Sequence, residues 1–242
     1  METLRKQGTP EALLSSSYEP FKTSFVKKFN RGTNYMYFLW PGVLATVLQQ
    51  VLLLALALSF ASEYENGTFA ELTEKTSLFS MLAVKIIPYL IMSFGIWLLY
   101  WALTFWFRIP INENLGALTL IAGVFVLSVT FIGILVSIVI PNQLKATEVL
   151  MVVATPSFIL SGFTWPLSQM PVWIQHIASG IPLTHFLKAF RILLVEGGSV
   201  SQTFPAVMGM IWIGVVCGIG SVIALYFKRR QVKKSEVYIS SE

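Results

Sequence analysis

Few residues in this chain have types and spacing that could do chemistry. His176 and His185 stand nine apart with no carboxylate or cysteine close by in sequence, so they do not make up the several-ligand set that a zinc ion requires. Packing and hydrogen bonding are their expected work, and no metal site is expected. The single Cys217 lies inside an apolar run, which excludes an intrachain disulfide and any CxxC redox or metal motif. No Ser-His-Asp or Cys-His arrangement stands out, and the carboxylates gather between apolar runs. A membrane hydrolase or transferase, which would need positioned acid-base groups near the bilayer, is therefore the weaker rival and no catalytic residue is expected. The richest polar stretch is SEYENGTFAELTEKTS, Ser62 to Ser77. Thr68 and Glu71 have the T-x-x-E spacing of a capping box, in which the hydroxyl takes an orphan amide of the first turn and the carboxylate reaches back to the cap. A short helix is predicted to start there, led in by Gly67. Phe69 and Leu72 fall on one face, while Glu65, Glu71 and Glu74 remain hydrated. Such a helix can lie on a bilayer or in a partner's groove; the plain alternative is a solvated loop. Asn66-Gly67-Thr68 also matches a glycosylation sequon, read here as coincidence.

The elements around that stretch are membrane spans. Of 242 residues 55% are apolar and 12% charged, against about 25% charged in soluble domains. The expected fold class is an all-α integral membrane protein. Five spans are predicted, at 39–61, 86–107, 115–140, 149–163 and 205–227. None holds Lys, Arg or Glu within these limits, although Lys85, Arg108 and Lys228 stand at their edges. Ion-coupled carriers and voltage sensors need intramembrane charge, so ion coupling is disfavoured. Trp97, Tyr100, Trp101 and Trp106 read as an interface belt. Gly214-x-x-x-Gly218 permits a close helix approach.

Between Val149 and Thr184 there is no charged residue at all, which is more than one crossing consumes. Pro156, Pro166, Pro171 and Pro182 are expected to cut this run into pieces. The reading is one helix to about Phe163, then a broken, re-entrant segment from Ser161 to Arg191. Irregular backbone at membrane depth survives only where protein or a watery cavity satisfies it, which makes the segment a candidate pathway or gate. Lys188 and Arg191 follow at i and i+3; headgroup snorkelling and contact with an anionic substrate group are both open.

The net charge of +5 comes largely from the two ends of the chain, beside apolar spans, so lipid headgroups and not nucleic acid are the expected partner. No cleavable signal peptide is recognisable in METLRKQGTPEALLSSS. Counting Lys and Arg on the two sides of a five-span topology returns eight against nine, which leaves orientation open. The KRRQVKK tail argues for a C-terminus inside; the lead-in residues Arg5, Lys6, Lys22, Lys27, Lys28 and Arg31 argue against it.

Two stretches together carry a resemblance. Glu65-Asn66-Gly67-Thr68-Phe69-Ala70-Glu71-Leu72 resembles the E-x-G-T-x-E-x-L signature of the permease subunits of type-2 ABC exporters, with Glu71 one place later than the signature's second acidic residue. Pro156, Ser161-Gly162-Phe163, Pro166, Met170-Pro171, Trp173-Ile174, Pro182-Leu183-Thr184 and Arg191 are similar, in order, to that family's last-third pattern. The resemblance is nearest to the multidrug-export branch. It implies an ATP-driven exporter of hydrophobic or amphipathic compounds in the cell's inner membrane, with ATP and Mg bound by a separate cytosolic ATPase. It also implies a homodimer or a heterodimer with a related permease. Consistent with this, the chain contains no G-x-x-x-x-G-K-[ST] phosphate loop. Under the resemblance Glu65, Gly67, Thr68, Phe69, Glu71 and Leu72 belong to a coupling helix docked on the ATPase. Ser161, Gly162, Pro166, Pro171, Trp173, Pro182, Thr184 and Arg191 belong to the outer, re-entrant gate. That placement makes the loop and the C-terminus cytoplasmic. Family members usually begin with a further helix and an outer domain, so residues 1–38 read as a remnant of that domain ahead of a permease domain at 39–242. A non-transporting scaffold or truncated remnant is the alternative.

Overall fold

The computed structural model describes residues 35–107 and 115–239, with side chains over 39–40, 42–107 and 115–232. The basic lead-in and Arg108 lie outside the described residues. Every described element is helical: α1 (Tyr35–Glu65), α2 (Phe69–Lys75), α3 (Leu78–Trp106), α4 (Leu115–Val139), α5 (Gln143–Leu160), a 3-10 turn (Leu167–Gln169), α6 (Val172–Ser179), α7 (Pro182–Phe190), a π turn (Arg191–Val195) and α8 (Val200–Ile239). Five of these, α1, α3, α4, α5 and α8, are long and apolar enough to cross a membrane. Helices dominate because a chain in lipid must satisfy its backbone within itself.

Several predicted limits are corrected, among them those of α1, which runs from Tyr35 to Glu65 and not from 39 to 61, and the end of α5, at Leu160 and not 163. Helix α3 starts at Leu78, capped by Ser77, whose hydroxyl accepts from Ser80 N–H at 3.2 Å. Lys85 is therefore well inside α3, where Glu63 of α1 neutralises it at 2.5 Å, both side chains being only about a fifth exposed. Helix α5 starts at Gln143, six residues earlier than the apolar run, because Asn142 caps it by accepting from Lys145 N–H at 2.9 Å. Pro156 does not cut the fourth span but lies inside α5; it forfeits one backbone bond while the rest of the helix continues. Helix α8 also overruns its apolar core at both ends, since polar residues can keep their heads in water while the helix goes on.

The bundle is built on α4, the most buried of the spans, which packs against α1 and α8. Its crossing with α1 is tight. A Cβ on Gly133 would come within 2.6 Å of Leu56 Cβ. One turn on, Ser137 Oγ accepts from Phe60 N–H (2.7 Å) and Ala61 N–H (3.0 Å) and donates to Ala57 O (3.0 Å). On the other flank Ser128 Oγ donates to Met210 O of α8 at 2.7 Å. Gly214 and Gly218 lie against Ser128 and Phe131, so the glycine pair serves a contact between helices of one chain. Tyr89 and Tyr100, on α3, donate to Ala55 O (3.1 Å) and Leu44 O (3.0 Å) of α1. Tyr100 thus has a bonding role beyond an interface belt, while Trp106 is 84% exposed.

Candidate functional site

The polar loop and the proline-rich segment lie at opposite ends of the bundle. At one end Glu65 meets Asn142 and Gln143, and the Lys228 ammonium of α8 sits 5.3 Å from the Tyr64 ring. At the other Gly42 of α1 packs on Phe163, and Trp40 meets Phe107 edge to face at 5.5 Å. The basic C-terminal part of α8 therefore shares an end with α2.

Helix α2 forms as predicted, but without its capping box. Thr68 is in the right-handed helical region (φ −83°, ψ −6°) and makes no side-chain cap bond. Its hydroxyl donates instead to the Glu63 carboxylate, and Glu71 takes the Lys75 ammonium at 2.5 Å, one turn on. The physical reason differs for the two: Thr68 has a helical and not an extended backbone, so its hydroxyl does not serve as a cap acceptor, while Glu71 takes an ionised partner in preference to a neutral amide. Gly67 makes the turn between α1 and α2 at φ +71°, the left-handed region glycine enters freely. Phe69 is buried, its ring 4.3 Å from that of Tyr64. Leu72 packs half-buried beside the core and Thr73 is buried. The apolar face of α2 is thus spent inside the chain, and Glu71, Glu74 and Lys75 face outward. The Lys75 ammonium bonded to Glu71 holds that carboxyl below its ordinary range, and Glu71 in turn raises Lys75.

Glu65 is not simply hydrated. Its Oε1 accepts from Gln143 N–H (2.8 Å) and Asn142 Nδ2 (2.9 Å), and its Oε2 from Gln143 Nε2 (2.7 Å). The carboxylate thereby satisfies an orphan donor at the start of α5.

At the far end, α5 stops at Leu160. Ser161 Oγ donates to Phe158 O at 2.6 Å, and Gly162 follows at φ +76°, the usual place for glycine after a helix end. A Cβ there would approach Leu167 Cγ to 2.5 Å. Pro166 precedes the 3-10 turn, Pro171 precedes α6, and Pro182 is the first residue of α7, a position where the missing N–H is harmless. The pair formed by α6 and α7 with its π turn is bent by 89°, which is the broken segment expected from the prolines. Trp173 is 64% exposed. Thr184 is buried, and its hydroxyl has no partner among the described residues. Arg191 donates through Nη2 to Gly162 O (3.1 Å) and Phe163 O (2.9 Å), with its guanidinium 5.4 Å from the Phe163 ring. Lys188 is exposed, so the two cations at i and i+3 do different work. His185 meets Ser179 O at 2.8 Å, and Gly209 of α8 makes room for its ring.

A family model described as "ABC-2 family transporter protein" matches residues 2–223. The chain belongs to that family. This ABC-2 protein is a multi-pass membrane protein. It is similar to "Probable multidrug ABC transporter permease YbhS" of Escherichia coli (strain K12), 29% identical over 172 residues covering 70% of this chain and 46% of the relative. It is also similar to "Probable multidrug ABC transporter permease YbhR" of the same organism, 24% identical over 224 residues covering 91% and 60%. A third relative, "ABC transporter G family member 20" of Dictyostelium discoideum, is 24% identical over 201 residues, 81% of this chain and 27% of its own length. The ABC-2 chain thus spans about half the length of the curated bacterial relatives it matches. No solved structure matches it.

Sequence reasoning missed Glu63, which joins α1, Thr68 and Lys85, and missed the Gly133 and Ser137 crossing. The second carried a readable signal, the same small-x-x-x-small spacing as Gly214 and Gly218.

Proposed function

We propose that this ABC-2 protein is the membrane-spanning subunit of an ATP-driven exporter. It moves a hydrophobic or amphipathic compound, drug-like or lipid-linked, out of the cytoplasm. ATP and Mg are bound and hydrolysed by a separate cytosolic ATPase that docks on α2, and the permease pairs with itself or with a related chain. The observation that carries this reading is the presentation of α2 in a member of this family. Its apolar face is locked onto Tyr64 and the core, and its charged face, Glu71, Glu74 and Lys75, points away from the bundle. A helix held in that way can take a push from a partner without detaching. The names of the bacterial relatives support a multidrug type of cargo.

The α2 end is assigned to the cytoplasm of the inner membrane, together with the C-terminus. Among the described residues, that end gathers Lys75, Lys85, Lys145, Lys228, Arg229 and Arg230, against Lys188 and Arg191 at the other, as cytoplasmic loops do. The segment from Ser161 to Arg191 is then the outer gate.

The test is co-purification with the cytosolic ATPase, followed by ATP-driven efflux of an amphipathic dye from vesicles. Reversing both exposed carboxylates, E71K with E74K, is expected to lower ATPase retention and efflux together. Unchanged retention and efflux would sink the docking assignment. Labelling of cysteines placed at Glu74 and Ser168 from opposite sides of the membrane checks the orientation.

A further inference from the structure

We propose that α5 is a strut fastened at both ends, and that Glu65 and Arg191 are the positioning residues that connect α2 with the far segment through it. This rests on the exporter reading and says how a push on α2 travels. In this proposal Glu65 acts through Asn142 and Gln143, which engage its carboxylate within the chain.

The geometry of α5 carries the argument. Among the described residues, its start is tied by three hydrogen bonds from Asn142 and Gln143 to Glu65, two residues ahead of the Gly67 turn. Just beyond its other end, the carbonyls of Gly162 and Phe163 are held by Arg191, which also stacks on Phe163. An anion thus sits at the N-terminus and a cation at the C-terminus, the arrangement favoured by the helix dipole. Between the ends no hydrogen bond joins α5 to another element among the described residues. Its buried positions are Ala146, Leu150, Ala154 and Ser157, one narrow ridge at a spacing of three to four. Three of these four side chains are small, so Leu150 is the one large side chain of the ridge, and Phe158 lies against Gly42 of α1 near the far end. A rod of 18 residues, about 27 Å long at the usual helical rise, then reports displacement at Glu65 as displacement at Gly162. Arg191 passes it on to the π turn and α7.

The test uses the full chain with its ATPase in lipid nanodiscs. Cys217 is replaced by serine and a spin label is attached at a W165C substitution, an exposed position just past Phe163. In the otherwise unsubstituted complex, ATP is expected to change the label's mobility. E65Q places a donor where an acceptor faces Asn142 or Gln143, and Q143A removes one of the three bonds. Each is expected to retain the ATPase and its hydrolysis while reducing the ATP-linked change and the efflux per ATP, roughly tenfold for E65Q, as loss of a charge-assisted bond implies. The E65Q/Q143A pair should be no worse than E65Q, since both act on one contact. R191K, which keeps the charge but not the fork, should uncouple the label in the same way. A strut that was merely structural would lower stability and leave the ATP-linked change intact, and that result overturns the proposal. So does loss of ATPase retention in step with efflux in E65Q, which would make Glu65 a docking residue. Failure of the exporter reading is distinguishable, because the unsubstituted chain would then retain no ATPase.

Discussion

Replacing Gly133 by alanine should loosen the α1–α4 crossing. The added Cβ would lie 2.6 Å from Leu56 Cβ and 3.0 Å from Leu56 Cδ1, whereas carbon atoms settle about 3.5–4.0 Å apart. Leu56 is fully buried, so rotating its side chain cannot clear the nearest atom, which is fixed to the backbone. The helices must part by roughly 1 Å. That stretches the three Ser137 bonds of 2.7, 3.0 and 3.0 Å out of range. Overpacking costs about 1–3 kcal/mol, and weakened interhelical bonds in a membrane add about 0.6 kcal/mol each. The sum is roughly 3–5 kcal/mol, a fall in Tm of about 6–20 °C at this chain length. The sole cysteine, half-buried Cys217, supplies the assay: its thiol reacts with a fluorogenic maleimide as the bundle opens on heating. Compensation discriminates the cause. L56A keeps the offending Cβ and should rescue G133A little, while L56G should restore much of the loss relative to L56G alone. An unchanged Tm in G133A, or full rescue by L56A, refutes this packing argument.

The remaining predictions use the same or simpler readouts. G162A should cost more than G67A: both need φ above +70°, about 1–2 kcal/mol for a residue with a Cβ. Only Gly162 also meets Leu167, at 2.5 Å, while Gly67 faces open space, and the Cys217 melting curve should rank them so. T184V should leave Tm unchanged or raise it, because a buried hydroxyl without a partner among the described residues gains nothing from burial; a clear fall would show that the hydroxyl is bonded. The contribution of the Glu71–Lys75 pair to α2 has a defined pH window. Glu71 is lowered, so its share is complete above the ordinary carboxylate value and fades as pH falls through the lowered one. Lys75 is raised, so its share fades as pH rises through the raised value. Amide exchange in α2, corrected for intrinsic rates, should therefore quicken in acid and in high salt in the unsubstituted chain, but not in E71Q.

Much of the architecture was legible because lipid leaves a chain few choices. Apolar runs of span length, a charge-free stretch too long for one crossing, and proline clusters are properties of composition, and five spans with a bent pair of short helices follow from them. The direction of individual side chains was less legible. Thr68 and Glu71 have cap spacing, yet the carboxylate of Glu63 and the ammonium of Lys75 claim them. A pattern four residues wide takes no account of charges on neighbouring turns. Phe69 and Leu72 promised an apolar face for a membrane or a partner, and Tyr64 covers it from the same chain. Glu65 belongs to the E-x-G-T signature, but the residues that hold it are 77 and 78 positions away.

Where a membrane helix ends is decided in the same non-local way. Four prolines in the charge-free run look equivalent in sequence, since each removes one donor. Pro156 nevertheless sits inside α5, while Pro166, Pro171 and Pro182 each stand at the start of a new element. The difference lies in what is available to the carbonyls that follow. Past Pro156 the chain continues along α1 with Ser157 buried in the contact, and a single lost bond does not outweigh that packing. At Gly162 the chain can turn, because glycine accepts the left-handed conformation and Arg191 takes the carbonyls of Gly162 and Phe163. The end of α5 is therefore specified by a cation 28 and 29 residues downstream as much as by any residue in the helix. It follows that R191Q should change the register at which α5 ends, extending or fraying it beyond Leu160, whereas Pro156→Ala should leave that end where it is. Amide exchange from Ser157 to Leu167 reads both, and equal protection in R191Q and the unsubstituted chain would refute the assignment.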